Sequence, residues 1–351
     1  MITTHIAAGS CSAMRIVFAS LVRGKSRRGK CVHLVVVALL TLLVTAADLV
    51  AGTRDMTFFA VSDTHYGLSP EGDRTLPLLV EKMNALPGTA YPAAIGGTVG
   101  KPRGVLHIGD ITNDGKKEPW EKFVADYGLT GKDGRLQWPV YEAYGNHDGG
   151  PGTPVRNGIR ERNLRRAGLT AVSSNGLHYC WSWDGILFLN LGIAPGSTTH
   201  PYDPEYSMEF LEEVLKKHAR PGEPVILMHH FGFDKNHSLG WWPEERRTRY
   251  HDLIKDLNVI GILHGHAHEP DIYQWEGIDI YHPTHFKQKD PKNNGPVSHG
   301  FFVFHITDDE LTVAERRIDD TWGMTSRKSL RSPAGAKYQK PTADQSEKSF
   351  P

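Results

Sequence analysis

Apolar positions along this chain follow two alternating rhythms. Short unbroken runs recur at Thr57-Phe58-Phe59-Ala60-Val61, Val105-Leu106-His107-Ile108, Val140-Tyr141-Glu142-Ala143-Tyr144, Val225-Ile226-Leu227-Met228 and Val259-Ile260-Gly261-Ile262-Leu263. Runs of that length, rich in β-branched and aromatic residues, predict strands buried on both faces. Between them the spacing turns helical. Leu76, Leu79, Val80 and Met83 form one face, with Pro77 placed in the first turn; Trp120, Phe123, Val124 and Tyr127 form another, which Gly128 terminates. Residues 156–168 predict an arginine-rich helix. Asp203-Pro204 caps a helix running to about Ala219, and Pro243 starts one that turns Tyr250, Leu253, Ile254 and Leu257 inward. Asp184-Gly185 joins residues 178–183 and 186–191 as a hairpin, while residues 87–103, rich in Pro and Gly, read as a loop. Beyond His268 the helical period disappears, and residues 271–275, 278–281, 301–305 and 311–316 predict mostly antiparallel strands. The pattern belongs to the α/β (α+β) class: one domain in which two sheets pack together between layers of helices.

Both ends depart from that pattern. Residues 1–51 carry Arg15, Arg23, Lys25, Arg27, Arg28 and Lys30, then an apolar run from Leu34 to Ala47. The run is shorter than the roughly 20 residues of a membrane span and leads into small residues at Val44-Thr45-Ala46, the layout of a secretory signal. Export to a periplasmic or extracellular location is the expectation, with an uncleaved membrane anchor as the alternative. Residues 52–324 are expected to form the catalytic domain, and residues 325–351, dominated by Ser, Lys, Pro, Ala and Gln, a disordered tail. Lys+Arg and Asp+Glu balance at 40 each, so no global field favours nucleic acid as a partner. Cys180 is the one cysteine outside the leader and reads as a buried small hydrophobe.

The chemistry lies where strands end. Asp63-Thr64-His65, Gly109-Asp110, Gly145-Asn146-His147-Asp148, His229-His230 and Gly265-His266-Ala267-His268 mostly follow the strand runs directly, so their side chains converge on one crevice. Mixed carboxylate, imidazole and amide donors suit two divalent or trivalent transition-metal ions (Mn, Fe, Zn or Co) better than Mg or Ca. Two such ions about 3.5–4 Å apart activate a bridging hydroxide and clamp a phosphoryl group. Asp110 is the natural bridge; Asp63, His65 and His268 complete one shell, and Asn146 and His266 contribute to the other with one histidine of the 229–230 pair. The linear chemistry does not separate His229 from His230. His147 follows a ligand without being one, which suits either stabilising phosphate oxygen charge or protonating the leaving group, and Asp148 is placed to orient it.

This set of segments resembles the calcineurin-like metallophosphoesterase superfamily over roughly residues 56–305. The resemblance implies a two-sheet β-sandwich flanked by helices in four layers, a dinuclear metal centre, and hydrolysis of a small-molecule phosphomonoester or phosphodiester. It also implies that His229 is the ligand of the histidine pair. Asn113 stands where purple acid phosphatases carry tyrosine, and Asn113-Asp114-Gly115 where the protein phosphatases carry Asp-Arg-Gly. A ferric-tyrosinate centre and the phosphate-binding arginine of that motif are therefore not expected. Non-catalytic binding proteins on this fold and nucleases are the competing classes. The first usually lose ligands that this chain retains, and the second would call for an aromatic-interleaved basic tract. His107 and His178 read as core residues. His282 and His285 stay open between substrate contact and structure, as do Trp241 and Trp242 between pocket wall, core and lid. The arginines of residues 156–166 read as a solvated helix face.

Overall fold

The computed structural model describes residues 53–197, 204–233, 238, 240–283 and 300–330. The expected leader, Asp203, His285 and most of the expected tail lie outside them. From the amino end, β1 (Asp55–Val61), α1 (Pro70–Ala85), β2 (Pro102–Ile108), α2 (Lys117–Tyr127), β3 (Val140–Ala143) and α3 (Pro154–Arg165) alternate. Next come β4 (Leu169–Val172), β5 (Tyr179–Trp183), β6 (Ile186–Asn190), α4 (Ser207–His218), β7 (Val225–Met228), α5 (Glu244–Ile254) and β8 (Val259–Leu263). The remaining strands are β9 (Asp271–Trp275), β10 (Ile278–His282), β11 (Gly300–Thr307), β12 (Glu310–Arg317) and β13 (Trp322–Ser329), antiparallel to one another where they pair. Among the described residues no helix is long and apolar enough to cross a membrane.

The strands form two sheets, in the orders β13-β12-β11-β1-β2-β3 and β4-β5-β6-β7-β8-β10-β9. The chain is a mixed α/β sandwich, as its pattern predicts. Alternation divides each strand between two cores. Met56, Phe58 and Ala60 face the other sheet, whereas Phe59 and Val61 face the helices with Leu76, Leu79, Val80 and Met83. Between the sheets, Phe58 stacks on Phe304 at 4.5 Å and meets Phe188 edge-on at 5.5 Å, and Tyr141 stacks on Trp181 at 4.4 Å. Burial on both faces explains why these strands read as continuous apolar runs. β1, β2 and β3 run parallel in one sheet and β6, β7, β8 and β10 in the other.

Four expectations need correction. Helix α1 begins at Pro70, with Ser69 Oγ accepting from Gly72 N at 3.0 Å, so Pro77 lies inside the helix rather than in its first turn. Helix α4 begins at Ser207, after a left-handed Tyr206, not at Pro204. Residues 325–329, expected to be disordered, instead belong to Trp322–Ser329, which pairs with β12 as an edge strand. Polar composition concealed it: an edge strand with one open face needs few apolar residues.

The fourth correction concerns the arginines. Arg156, Arg162 and Arg166 are buried, not solvated. Arg162 Nε and Arg166 Nη2 each donate to Glu142 Oε1 at 2.7 Å, and Arg156 Nη1 donates to Glu205 Oε1 at 3.0 Å. Burial alone would raise the Glu142 carboxyl, but Arg162 and Arg166 outweigh it and hold it below the usual range. The Glu142 carbonyl also accepts from Tyr179 Oη at 2.9 Å and Asn190 Nδ2 at 2.7 Å in the other sheet. One residue of β3 thus ties α3 and both sheets together. Glu142→Ala would leave two guanidinium groups buried without their carboxylate. We expect a loss of about 3–5 kcal/mol in unfolding free energy, measured by urea titration; a change under about 1 kcal/mol would show the network to be dispensable.

Candidate metal centre

Five chain segments leave their strands at one end of the sandwich and are laced together there by backbone hydrogen bonds. Asp63 N donates to Gly109 O at 3.0 Å, His65 N to Asp110 O at 3.0 Å, and Gly265 N to His230 O at 2.9 Å. The glycines of the motifs permit this approach. A Cβ on Gly145 would lie 2.2 Å from Asp110 Oδ1, and one on Gly265 would lie 2.1 Å from Ser62 Oγ. Asp63, Asp110, His65, His266 and His268 all adopt positive φ, between 46° and 73°. Side chains rarely tolerate that region, and it collects at functional sites.

Two groups of candidate ligand atoms result, each with its atoms within 4.8 Å of one another: Asp63, His65, Asp110 and His268, and Asp110, His230 and His266. Asp110 belongs to both. Its Oδ1 accepts from His147 N at 2.8 Å, while its Oδ2 lies 3.7 Å from His65 Nε2 and 3.2 Å from His230 Nε2. Asp63 accepts from His266 N at 3.1 Å and faces His268 Nε2 at 3.4 Å. The His65 and His268 Nε2 atoms are 3.1 Å apart. Asn146 presents a buried side-chain oxygen that accepts no hydrogen bond among the described residues. Asp63, His65, Asp110, His266 and His268 are therefore brought together in these two groups, and Asn146 adjoins His147, whose amide donates to Asp110 Oδ1.

Histidine 229 belongs to neither group. Strand β7 turns Val225 and Leu227 toward the helices and Ile226 and Met228 toward the other sheet. By the same alternation His229 enters the helix-side core, where its ring packs against Trp242 at 5.0 Å and Tyr250 at 5.4 Å. Its Nδ1 bonds Phe231 O at 2.6 Å, and burial brings the imidazole down to about 3. His230 faces the cluster instead, with Nδ1 donating to Ile108 O at 2.8 Å and Nε2 directed at Asp110. That arrangement fixes the tautomer a ligand needs. The period-2 phase of β7 is the signal that separates the two histidines.

Asp148 also takes another role. Its carboxylate is fully buried and accepts from Thr112 N at 2.8 Å, Gly145 N at 2.8 Å and Ile111 N at 3.1 Å. It clamps the loops after β2 and β3. Burial and then the Asp110 charge push it up to about 6. The partner of His147 is Asn113, whose carbonyl lies 2.9 Å from His147 Nδ1. The His147 ring is exposed and stands 4.7 Å from that of His65. His282 is buried and stacks on His264 at 4.6 Å, Trp242 is buried with its indole donating to Pro195 O at 3.0 Å, and Trp241 is 43% exposed. His107 and His178 are core residues, bonded to Thr64 Oγ1 at 2.9 Å and Glu205 O at 3.0 Å.

The electrostatics describe a buried anionic centre held by imidazoles. Burial would raise the Asp110 carboxyl, but His230 and His65 outweigh it and bring it to about 2. Burial would lower His230, but Asp110 and Asp63 raise it to about 9. Burial lowers His65 to about 4 against the pull of Asp110 and Asp63. Carboxylates removed from water need compensating positive charge, supplied here by a proton on His230 or by a cation in its place. The nitrogen, carboxylate and amide donor set fits a transition-metal ion.

The chain belongs to the calcineurin-like phosphoesterase family, whose model matches residues 56–270. Among solved structures it is similar to a dimetal phosphatase from Danio rerio, at 12% identity and a TM-score of 0.54, covering 78% of this chain and 99% of that one. It is also similar to a predicted phosphoesterase from Streptococcus pneumoniae, at 13% identity and a TM-score of 0.36 over 79% and 98% of the two chains. Vps29 from Entamoeba histolytica is another, at 13% and 0.36 over 78% and 99%. No curated protein matches the chain in sequence.

Two variants separate the adjacent histidines. His230→Ala is expected to lose bound metal, and His229→Ala to retain it while losing about 1–3 kcal/mol of stability from the aromatic pocket. Elemental analysis and unfolding of both decide it, and the opposite metal contents would restore His229 as the ligand.

Proposed function

We propose that the protein is a metal-dependent phosphoric ester hydrolase acting on a phosphomonoester or phosphodiester. The observation that carries this reading is the sharing of Asp110 between two groups of candidate metal-binding side chains, together with a buried Asn146 oxygen that has no hydrogen-bond partner among the described residues. Asp63, His65, Asp110 and His268 would hold one ion; Asp110, Asn146, His230 and His266 would hold the other. When bound, such a pair supplies Lewis acidity to the phosphoryl oxygens and a nucleophile from water at neutral pH.

The chain itself supplies orientation and a proton. His147 N fixes Asp110 Oδ1, and Asn113 O fixes the His147 ring through Nδ1. Nε2 is then the free edge of an exposed imidazole beside the cluster, placed to protonate a departing alkoxide. Asp148 acts further back, holding the two loops that carry Asp110 and Asn146 in register.

A panel of phosphomonoesters and phosphodiesters assayed with added Mn tests the reading. Hydrolysis that chelation abolishes and Mn restores is expected; a metal-loaded protein that turns over no ester would overturn it. Asp110→Asn should lose metal and activity together, because both groups share that carboxylate. Two equivalents of metal retained in that variant would contradict the shared role.

His147→Ala should keep its metal and lose about 10²–10⁴-fold in kcat on an alkyl ester. The loss on a nitrophenyl ester, whose leaving group is already a stable anion, should be much smaller. Equal losses on both would assign His147 to stabilising phosphoryl charge instead.

A further inference from the structure

Strand β2 carries a histidine among apolar neighbours. By alternation His107 points with Val105 toward the helices, and its fully buried ring meets Phe123 edge-on at 5.4 Å and Tyr127 at 5.6 Å. Burial lowers the imidazole to about 3, so it stays neutral and carries a single N–H. Its Nε2 lies 2.9 Å from Thr64 Oγ1, which donates to Ile111 O at 3.0 Å. A hydroxyl has one proton to give. With that proton on the Ile111 carbonyl, Thr64 accepts from His107, and the ring proton belongs on Nε2. Nδ1 is left buried with no hydrogen-bond partner among the described residues. Such an orphaned acceptor costs about 1–3 kcal/mol, a cost that an apolar side chain in the same place would not carry.

We propose that His107 is a positioning residue for the metal centre and acts on it through Thr64. Thr64 lies between Asp63 and His65, candidate ligands held left-handed at φ 53° and 46°, and Ile111 follows Asp110, at φ 48°. The relay from His107 through Thr64 to Ile111 therefore joins two segments that supply three of the four side chains in one ligand group. Backbone bonds from Asp63 N to Gly109 O and from His65 N to Asp110 O align the same segments. The Thr64 side chain adds a third link between them, from the core side. Residues in the left-handed region relax toward commoner conformations unless their surroundings hold them. Fixing Thr64 fixes the residue between two of them, and with it the directions of the Asp63 carboxylate and the His65 imidazole. Outer partners of this kind typically set metal affinity within about 10–100-fold. The inference rests on the metal-centre part of the proposed function and assumes no hydrolysis.

Co²⁺ alone, titrated into the metal-free full chain and read by its visible absorption, provides the test. Thr64→Val keeps the side-chain shape and removes the hydroxyl. His107→Phe keeps a ring between Phe123 and Tyr127 and removes the donor. Each should weaken Co²⁺ binding about tenfold or more and alter the absorption bands. Together they should cost no more than the larger single change, because both break one relay. Thr64→Ser, which retains the hydroxyl, should bind nearly as the native chain does. Native affinity and absorption in Thr64→Val, equal losses in Thr64→Val and Thr64→Ser, or full additivity in the double variant would each overturn the role. Nitrogen NMR of the metal-free native chain should find His107 protonated at Nε2; a proton on Nδ1 would overturn the relay without recourse to any variant. A native chain that takes up no Co²⁺ would overturn the metal-centre reading and this role with it. One that binds Co²⁺ through the relay and hydrolyses no ester would overturn the phosphoesterase reading alone.

Discussion

Asp63 and Asp110 are carboxylates fully removed from water at the end of a β-sandwich, and the surrounding structure answers that fact. An isolated buried carboxylate costs several kcal/mol, so each must be met by hydrogen-bond donors and positive charge. The donors are backbone amides, His266 N on Asp63 and His147 N on Asp110. The charge comes from imidazoles, or from ions that replace their protons. Bringing those groups within reach requires left-handed backbone at five candidate ligands and glycines where any Cβ would collide. Each left-handed residue costs of order 1–3 kcal/mol, which the packed frame around the site must offset.

That frame is the sandwich. Apolar side chains packed between the sheets hold β1, β2, β3, β7 and β8 together, so the loops leaving them arrive at one end. Glu142 fastens the edge strand β3, which would otherwise be the least constrained carrier of a site residue. Its carboxylate holds α3 through two arginines, and its carbonyl takes hydrogen bonds from the other sheet. The rigidity is uneven by design: Asp63, Asp110 and His230 are inaccessible, whereas His147, His268 and Trp241 face outward. A buried binding floor with an exposed imidazole at its mouth suits a substrate whose phosphoryl group enters first.

Much of this was legible in the chain. The apolar runs located the parallel strands, the polar tripeptides after them located the crevice, and the glycines of the motifs anticipated the close approach of backbones. The readings that failed share a cause. Arg156, Arg162 and Arg166 looked solvated because their partners, Glu205 and Glu142, lie elsewhere in the sequence, 49, 20 and 24 residues away respectively. Asp148 looked like a partner for His147 because the two are adjacent, yet adjacent side chains diverge, and its carboxylate turns inward to three amides.

Sequence by itself determined the family, the sheet-and-helix alternation and the set of residue types at the centre, because those depend on local periodicity and on short motifs. Tertiary structure alone decided between His229 and His230. Two identical rings in succession carry no chemical difference, and the choice follows from which face of β7 meets the helices and which continues toward Asp110. It likewise decided that Trp242 is core and Trp241 is surface, because burial is a property of what packs against a residue and not of the residue itself.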